Sequence, residues 1–277
     1  MNPWIATGGV VLPLTAAAAW AWRHRQRRDQ MYSRLLAQPI GGDSRASIEI
    51  AGRESPADAQ LCAAEFAAAR LVSVEEFVSP TTLTRLRDEA LSGMPFLEHT
   101  YIPVHKKGNT LSYERILRLA PHLLGFYHDR AVQAWISAVT GVTVQATPVQ
   151  DQSSLSVLCY KEAGDHIQWH YDHNFYRGRH FTVLLSLVNR SAAGDLSHSR
   201  LEQQFPDGTV RSIAMPENTL VIFEGTRVRH RATPTEAGDL RVVLSMTYCT
   251  DPRISHVKEL ARRVKDVAFY GIRAMWD

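Results

Sequence analysis

Short apolar runs alternate with turn-forming residues in the second half of the chain, and this pattern predicts β-strands. Runs rich in Val, Ile, Leu and Phe are separated by Gly, Pro and Asn, as expected of strands joined by tight turns. The predicted strands span 142–146, 155–160, 181–188, 210–214, 220–223 and 241–247. A series of short strands favours a mainly β protein with flanking helices and a jelly-roll core.

The first half of the chain instead shows helical patterns. Residues 61–70 are rich in Ala, which has the highest helix propensity. A helix is predicted to begin at Ser79-Pro80, because Pro suits the first helical position. Two further helices are predicted over 113–125 and 129–140. These helices are expected to flank the sheet.

The C-terminal residues 254–277 alternate apolar and basic positions with helical spacing. The pattern predicts an amphipathic helix. It leaves open whether this helix docks on the core or lies on a membrane surface.

An apolar segment near the N-terminus predicts a membrane anchor. Residues 4–22 carry no charge and are bracketed by tryptophans, and five arginines follow within residues 23–34. About 20 apolar residues cross a bilayer, and arginines that follow the span place the rest of the chain in the cytoplasm. A single-pass membrane protein whose remaining domain faces the cytoplasm is therefore predicted. The alternative is an Ala-rich surface or packing helix.

These patterns divide the chain into three parts. The predicted parts are an anchor with its basic flank (1–28), a linker or juxtamembrane segment (29–70) and a folded domain (71–277). Within that domain we expect a helical part (71–141), a β core (142–253) and a C-terminal helix (254–277).

Charge and cysteine content limit the functions and the cellular compartments that the sequence suggests. The net charge is +3, but residues 1–40 hold five arginines against one aspartate, so the remainder carries 26 basic and 27 acidic side chains. A near-neutral catalytic part argues against nucleic-acid binding. The three cysteines are scattered and fit a reducing compartment. Cys159 and Cys249 lie in apolar runs and are expected to be buried, inert thiols.

The spacing of His170, Asp172 and His230 is the strongest chemical signal in the sequence. In an extended segment, residues i and i+2 point to the same side, so the first two can reach one ion. The fold must bring the third alongside from another strand. Two imidazoles and one carboxylate on one face of a metal are typical of non-haem Fe(II) oxygenases. Arg241 adds a planar cation suited to a carboxylate.

The residues around this triad resemble a known superfamily. In chain order they are Tyr160, the triad's first two members, and the segments 179–189, 215–225, 230–234 and 238–245. The order resembles the Fe(II)/2-oxoglutarate dioxygenase superfamily over roughly residues 150–253, most closely its prolyl-4-hydroxylase-like branch. Two departures are a Ser at 186, where relatives often have Tyr, and the segment 197–202, which replaces a Gly-Gly-Glu-Leu turn.

The resemblance implies a double-stranded β-helix core and a set of site residues. It implies His170, Asp172 and His230 as iron ligands. It implies Arg241, Tyr160 and Thr182 as residues of the 2-oxoglutarate pocket. The implied cofactor is Fe(II), the co-substrates are 2-oxoglutarate and O2, and ascorbate is a candidate reductant.

The function predicted from the resemblance is hydroxylation of an unactivated C–H bond with release of succinate and CO2. The substrate is expected to be a small molecule, a lipid-linked molecule or a protein near the membrane. Two alternatives remain open: a protein prolyl hydroxylase, and a membrane-anchored, non-catalytic sensor module that binds metal and 2-oxoglutarate. His173 and Asn174, just past the ligand pair, are further candidates for substrate contact.

Overall fold

The computed structural model describes residues 56–270, together with four helical positions at 23, 26, 30 and 33. At 56–58 and 267–270 it describes the backbone alone. The predicted anchor segment 4–22 lies outside the described residues and stays a prediction. None of the helices that the model describes has the length and apolar character needed to cross a bilayer.

Within residues 56–270, twelve strands form one curled antiparallel sheet. Their bounds are β1 Leu71–Val74, β2 Glu98–Ile102, β3 Lys106–Leu111, β4 Gln145–Ala146, β5 Leu155–Tyr160, β6 His166–His170, β7 His180–Arg190, β8 Leu201–Gln204, β9 Val210–Ile213, β10 Leu220–Phe223, β11 Arg229–Ala232 and β12 Leu240–Cys249. Along the sheet the order is β1-β10-β7-β12-β5-β3-β6-β11-β8-β9, with β2 on β3 and β4 on β12. This curled antiparallel sheet is consistent with the predicted jelly-roll core.

The predicted division into a helical part and a β core is wrong at its boundary. Strands β1, β2 and β3 all lie within 71–141, and β3 enters the middle of the sheet between β5 and β6. These strands are short, and β2 and β3 are rich in polar residues, so they lack the apolar run that marks a buried strand.

Helices pack against one side of the sheet, and a further helix follows the last strand. They are α1 Pro56–Ala69, α2 Pro80–Ser92, α3 Tyr113–Leu119, α4 Pro121–His128, α5 Arg130–Thr140 and α6 His256–Tyr270, with a 3₁₀ turn at Met94–Phe96. The Ser79 side chain accepts a hydrogen bond from the backbone N–H of Thr82 and caps α2, with Pro80 following. Asp129 caps α5 in the same way. These local signals are why both helices begin where the sequence predicts.

Two helical predictions need correction. The helix predicted over 113–125 is two helices, because Pro121 cannot continue the first and instead starts the second. The helix predicted from the Ala-rich residues 61–70 begins earlier: α1 spans Pro56–Ala69, all of which the domain division had assigned to the linker, and its Phe66 is buried in the main core. The folded domain therefore begins at least 15 residues before the predicted boundary at 71.

The sheet has a separate apolar core on each side. Between the helices and the outer face of the sheet lies the larger core, to which Phe77, Trp135 and Phe181 belong. Cys159 and Cys249 are buried, as predicted. The smaller core fills the curl and includes Leu184 and Phe223. The candidate site opens into this smaller core.

The C-terminal helix α6 docks on the domain through its charged side. Arg262 is buried and its guanidinium donates to the carbonyl of Gln150 at 2.6 Å. The apolar positions Val257, Leu260 and Val264 are 80%, 66% and 61% exposed. The alternative left open by the sequence is thus resolved in part: the helix docks on the core, and its apolar stripe remains on the surface.

Candidate metal centre and active-site cavities

His170, Asp172 and His230 meet at one point in the curl of the sheet. His170 is the last residue of β6 and pairs directly with His230 of β11, while Asp172 follows two residues after the strand. The Asp172 Oδ1 lies 3.5 Å from Nε2 of His170 and 3.7 Å from Nε2 of His230. All three ligand atoms lie within 4.8 Å of one another. The structure therefore brings together the three residues that the sequence singles out.

Both imidazoles are held with Nε2 facing the shared point. The Nδ1 of His170 bonds to the carbonyl oxygen of Gln168 at 2.7 Å, and the Nδ1 of His230 bonds to that of Val228 at 3.0 Å. A carbonyl only accepts, so each Nδ1 carries the proton and each Nε2 presents a lone pair. This is the orientation that a metal ligand requires.

Asp172 is held in place by a side chain of β7 and by the backbone of the segment that follows β10. The Thr182 hydroxyl of β7 donates to its Oδ2 at 2.5 Å. The backbone N–H of Asp172 donates to the carbonyl of Gly225 at 3.0 Å. Burial disfavours the ionised carboxyl, but the nearby His230 and His170 and the Thr182 hydroxyl outweigh it and hold the pKa of Asp172 well below its usual range. The carboxylate is thus an anionic ligand at neutral pH.

Gly225, just after β10, allows the carboxylate to reach this position. A Cβ at residue 225 would lie 2.0 Å from Asp172 Oδ2 and 2.6 Å from its Cγ. Any side chain here would displace the carboxylate. The sequence analysis did not single out Gly225, because its role depends on a contact between segments far apart in sequence.

A cavity of about 110 Å³ lies on the inner side of the triad, with Arg241 in its wall. Arg241 is only 2% exposed. Its guanidinium donates to the Ser199 hydroxyl at 3.2 Å and to the Met215 sulfur at 3.4 Å. Among the described residues, nothing accepts a hydrogen bond from its Nε. Burial lowers the pKa of Arg241, an effect that Tyr160 opposes.

A buried guanidinium held by a hydroxyl and a thioether still requires an anionic partner. The inner cavity therefore fits a ligand with a carboxylate at one end. Tyr160 and Thr182 line the same cavity, and the Arg241 guanidinium lies over the Tyr160 ring, 5.6 Å from its centre. Ser199, which holds Arg241, lies in the segment that departs from the family pattern. Ser186 is fully buried and donates to the carbonyl of Met215.

A larger cavity of about 490 Å³ lies on the outer side of the triad. It is bounded by the β2–β3 hairpin, by helix α6 and by the strands of the sheet. Ile167, His170, Asp172 and Thr182 line both cavities, whereas His230 lines only the inner one. The candidate metal centre therefore lies where the two cavities meet.

Three further histidines lie near the triad. His105 and His180, which the sequence analysis did not single out, line the outer cavity, as does the substrate-contact candidate His173. Asn174 instead bonds within its own loop, through the carbonyl of Gly178 and the N–H of Tyr176.

The two aromatic residues that flank His170 lie outside the apolar cores. Tyr171 is 50% exposed and lines the outer cavity. Trp169 lies under the guanidinium groups of Arg229 and Arg231. Large aromatic side chains pack in the core by default, but every residue of β6 is partly exposed.

Comparisons with known proteins agree with this geometry. Residues 155–248 match the family model described as the 2OG-Fe(II) oxygenase superfamily. A search of curated protein sequences found no match.

Solved structures share the fold at low sequence identity. A prolyl hydroxylase from Trichoplax adhaerens, in complex with a hypoxia inducible factor peptide fragment, is 15% identical with a TM-score of 0.58 over 71% of this chain and 90% of that one. A Pseudomonas putida prolyl-4-hydroxylase is 13% identical with a TM-score of 0.53 over 70% and 98%. The α-ketoglutarate-dependent epimerase SnoN from nogalamycin biosynthesis is 12% identical with a TM-score of 0.59 over 70% and 82%.

The domain built around residues 155–248 belongs to the 2OG-Fe(II) oxygenase superfamily, with a prolyl-4-hydroxylase-like fold. This domain is accordingly that of a 2-oxoglutarate-dependent non-haem iron oxygenase, a class that uses Fe(II), 2-oxoglutarate and O2.

Proposed function

We propose that the chain hydroxylates an unactivated C–H bond of a substrate held in the outer cavity. The observation that carries the proposal is the position of the candidate metal centre where two cavities meet. One of these cavities contains a buried arginine whose Nε has no hydrogen-bond acceptor among the described residues. The inner cavity suits 2-oxoglutarate, and the outer cavity leaves room for a second molecule at the same centre.

His170, Asp172 and His230 would hold Fe(II), and Arg241 would bind the far carboxylate of 2-oxoglutarate. Three protein ligands leave coordination positions open for co-substrates. When bound, Fe(II) with 2-oxoglutarate and O2 supplies the oxidising power: one oxygen atom enters the C–H bond, the other enters succinate, and CO2 is released.

The protein orients the reactants and limits access of water. Thr182 and Gly225 position the Asp172 carboxylate, and the two backbone carbonyls fix the imidazoles. Leu184, Phe223 and Val243 give the inner cavity an apolar wall. An apolar wall strengthens the interaction between Arg241 and a carboxylate, because less water competes for both charges.

The outer cavity favours an enzyme over a sensor module, since a module that only binds metal and 2-oxoglutarate needs no second cavity. A protein prolyl hydroxylase remains the second candidate. It is supported by the similarity of the fold to the two prolyl hydroxylases.

We also propose that the domain works at the cytoplasmic face of a membrane. The uncharged segment 4–22 with its basic flank supports this. The exposed apolar stripe of α6, formed by Val257, Leu260 and Val264, is consistent with a nearby apolar phase.

Succinate formation tests the proposed activity. The protein, purified without oxygen and given Fe(II), 2-oxoglutarate and air, with and without ascorbate, should release succinate slowly even without its substrate. His230→Ala should lose both succinate and bound iron. Arg241→Met should keep the iron but need at least about tenfold more 2-oxoglutarate, since a buried charged hydrogen bond contributes several kcal/mol. Equal succinate from wild type and His230→Ala would contradict the proposal.

A further inference from the structure

A buried carboxylate that lines neither cavity joins three parts of the chain near the triad. Glu224 directly follows β10 and is only 2% exposed. The guanidinium of Arg179, the residue before β7, donates to both of its oxygens, from Nε at 3.2 Å and from Nη2 at 3.1 Å. Arg70, the residue before β1, donates to Oε2 at 3.4 Å. The bidentate contact with Arg179 fixes the orientation of the carboxylate as well as its position.

The backbone of Glu224 closes the turn that leads from β10 to β11. Its carbonyl accepts hydrogen bonds from the N–H of Arg227 at 2.8 Å and from that of Val228 at 3.0 Å. Its own N–H donates to the carbonyl of Arg70 at 3.1 Å. Residues 224–228 are therefore held as one unit, and the Glu224 side chain ties that unit to the start of β7.

This turn supplies backbone carbonyls that hold two of the three candidate ligands. The carbonyl of Gly225 accepts a hydrogen bond from the N–H of Asp172 at 3.0 Å. The carbonyl of Val228 bonds to Nδ1 of His230 at 3.0 Å. A displacement of the turn would therefore move the partners of both ligands at once.

The third ligand is held without this turn. The Nδ1 of His170 bonds to the carbonyl of Gln168, two residues earlier on the same strand, β6. A displacement of residues 224–228 would leave this hydrogen bond intact. The two histidine ligands should therefore respond differently when the turn is released.

We propose that Glu224 is a positioning residue of the metal centre and acts on Asp172 and His230 through the turn that it holds. The ion pair with Arg179 also sets the turn against Thr182, which lies three residues further along β7 and donates to the Asp172 carboxylate. Glu224 thus keeps the backbone and the side-chain partners of Asp172 in register. The inference rests on the proposed function only in that it requires the metal.

Glu224→Gln is the substitution that tests this role most directly. It keeps the size of the side chain, but the amide offers one accepting oxygen and presents an NH2 group to the donors of Arg179. The bidentate contact is lost, so the turn is no longer tied to β7.

Paramagnetic NMR of the full-length protein loaded with Co(II) measures the effect without relying on turnover. The Nδ1–H of each ligand histidine gives its own hyperfine-shifted signal. Contacts with the Phe223 ring, 4.5 Å from that of His230, and with the His105 ring, 5.5 Å from that of His170, assign the two signals. In Glu224→Gln we expect the His230 signal to shift and its proton to exchange faster with water, while the His170 signal stays in place. Co(II) affinity should fall by about tenfold, the lower end of the loss typical of residues that orient metal ligands.

A second variant keeps the test decisive if Glu224→Gln does not fold. Arg179→Lys retains the positive charge but replaces the bidentate contact with a single donor group. It should shift the His230 signal in the same selective way and by a smaller amount. Where both variants fold, the double variant should be close to Glu224→Gln alone, because both substitutions break the same contact.

Two matched controls separate positioning from stability. Arg227→Met removes a side chain that is 64% exposed and lies 3.5 Å from the same carboxylate, so both histidine signals should stay in place. Glu202→Gln breaks the 2.6 Å pair with Arg231, which adjoins His230 in sequence but lies outside the turn. Its loss should lower stability slightly and leave the His230 signal in place.

The outcomes distinguish this proposal from the metal centre itself. Unchanged signals in Glu224→Gln and Arg179→Lys, even with a lower thermal midpoint, would reduce the ion pair to a purely structural one. Equal shifts of both histidine signals, or the same shift in Glu202→Gln, would also overturn the role of Glu224 alone. A wild-type protein that binds no Co(II) would instead contradict the metal centre, and with it any positioning role.

Discussion

At the level of single residues, the geometry of the Asp172 carboxylate depends on the absence of a side chain at position 225. Gly225→Ala places a methyl group 2.0 Å from Oδ2, closer than atoms can approach, so the carboxylate must rotate away. We expect iron affinity to fall by about 10- to 100-fold, the loss typical of residues that orient metal ligands. Titration of the metal-free protein with Fe(II) under anaerobic conditions measures this.

Two variants serve as controls for Gly225→Ala. Gly194→Ala adds a methyl group at an exposed turn with nothing within 4 Å; its φ of +90° strains that turn but does not involve the triad, so iron affinity should be unchanged. Thr182→Val removes the hydrogen bond to Oδ2 without adding bulk and should weaken iron binding less. Unchanged iron affinity in Gly225→Ala would mean that the carboxylate tolerates a second position.

The sequence identifies the metal ligands more readily than it identifies the residues that position the site's side chains. His170 and Asp172 are recognisable because two ligands at i and i+2 are a local pattern. Gly225 and Ser199 act through contacts made only after remote strands pair. Their roles require the register of the sheet, which hydrophobic pattern does not supply.

At the level of elements, the strands that carry the histidine ligands are those that the apolar pattern misses. Strands β5 and β10 are apolar and were predicted with the correct bounds. Strands β6 and β11, which hold the histidine ligands, read His-Ile-Gln-Trp-His and Arg-His-Arg-Ala. Neither has a continuous apolar run, so these two ligand-bearing strands are not visible in the hydrophobic pattern.

Helix α6 depends on buried charge rather than on apolar packing. Arg262 is paired with Glu259 at 2.8 Å and with Asp266 at 2.6 Å. Arg262→Met leaves the Asp266 carboxylate buried with less compensation, which costs about 3 kcal/mol. We expect amide hydrogen exchange across 256–270 to accelerate about a hundredfold, because the helix opens locally more often.

Arg263→Met is the matched control for that helix. Arg263 pairs with the same Glu259 at 2.9 Å, but a third of its side chain is exposed. An exposed pair contributes less than about 1 kcal/mol, so exchange should accelerate only several-fold. Equal effects of the two substitutions would show that the buried charges do not hold the helix.

At the level of the whole molecule, the chain has two apolar features of different kinds. They are the uncharged segment 4–22 and the stripe on α6. Both bear on membrane association, but their contributions differ in size. An apolar side chain contributes about 1.5–3 kcal/mol when fully buried, so three of them give weak, reversible binding at most. A segment long enough to cross the bilayer gives effectively permanent insertion.

Deletion of residues 1–40 should therefore move the protein from the membrane fraction to the soluble fraction, because it removes the predicted span and leaves the described domain, 56–270, intact. Retained iron binding and a cooperative unfolding transition would verify that the shortened protein is folded.

Substitutions in the shortened protein test the apolar stripe of α6. Together, Val257→Ser, Leu260→Ser and Val264→Ser should lower any residual binding to liposomes. In the full-length chain the same substitutions should leave the protein in the membrane fraction. A shortened protein that still sediments fully with membranes, and is released only by the three α6 substitutions, would show that the helix rather than residues 4–22 determines location.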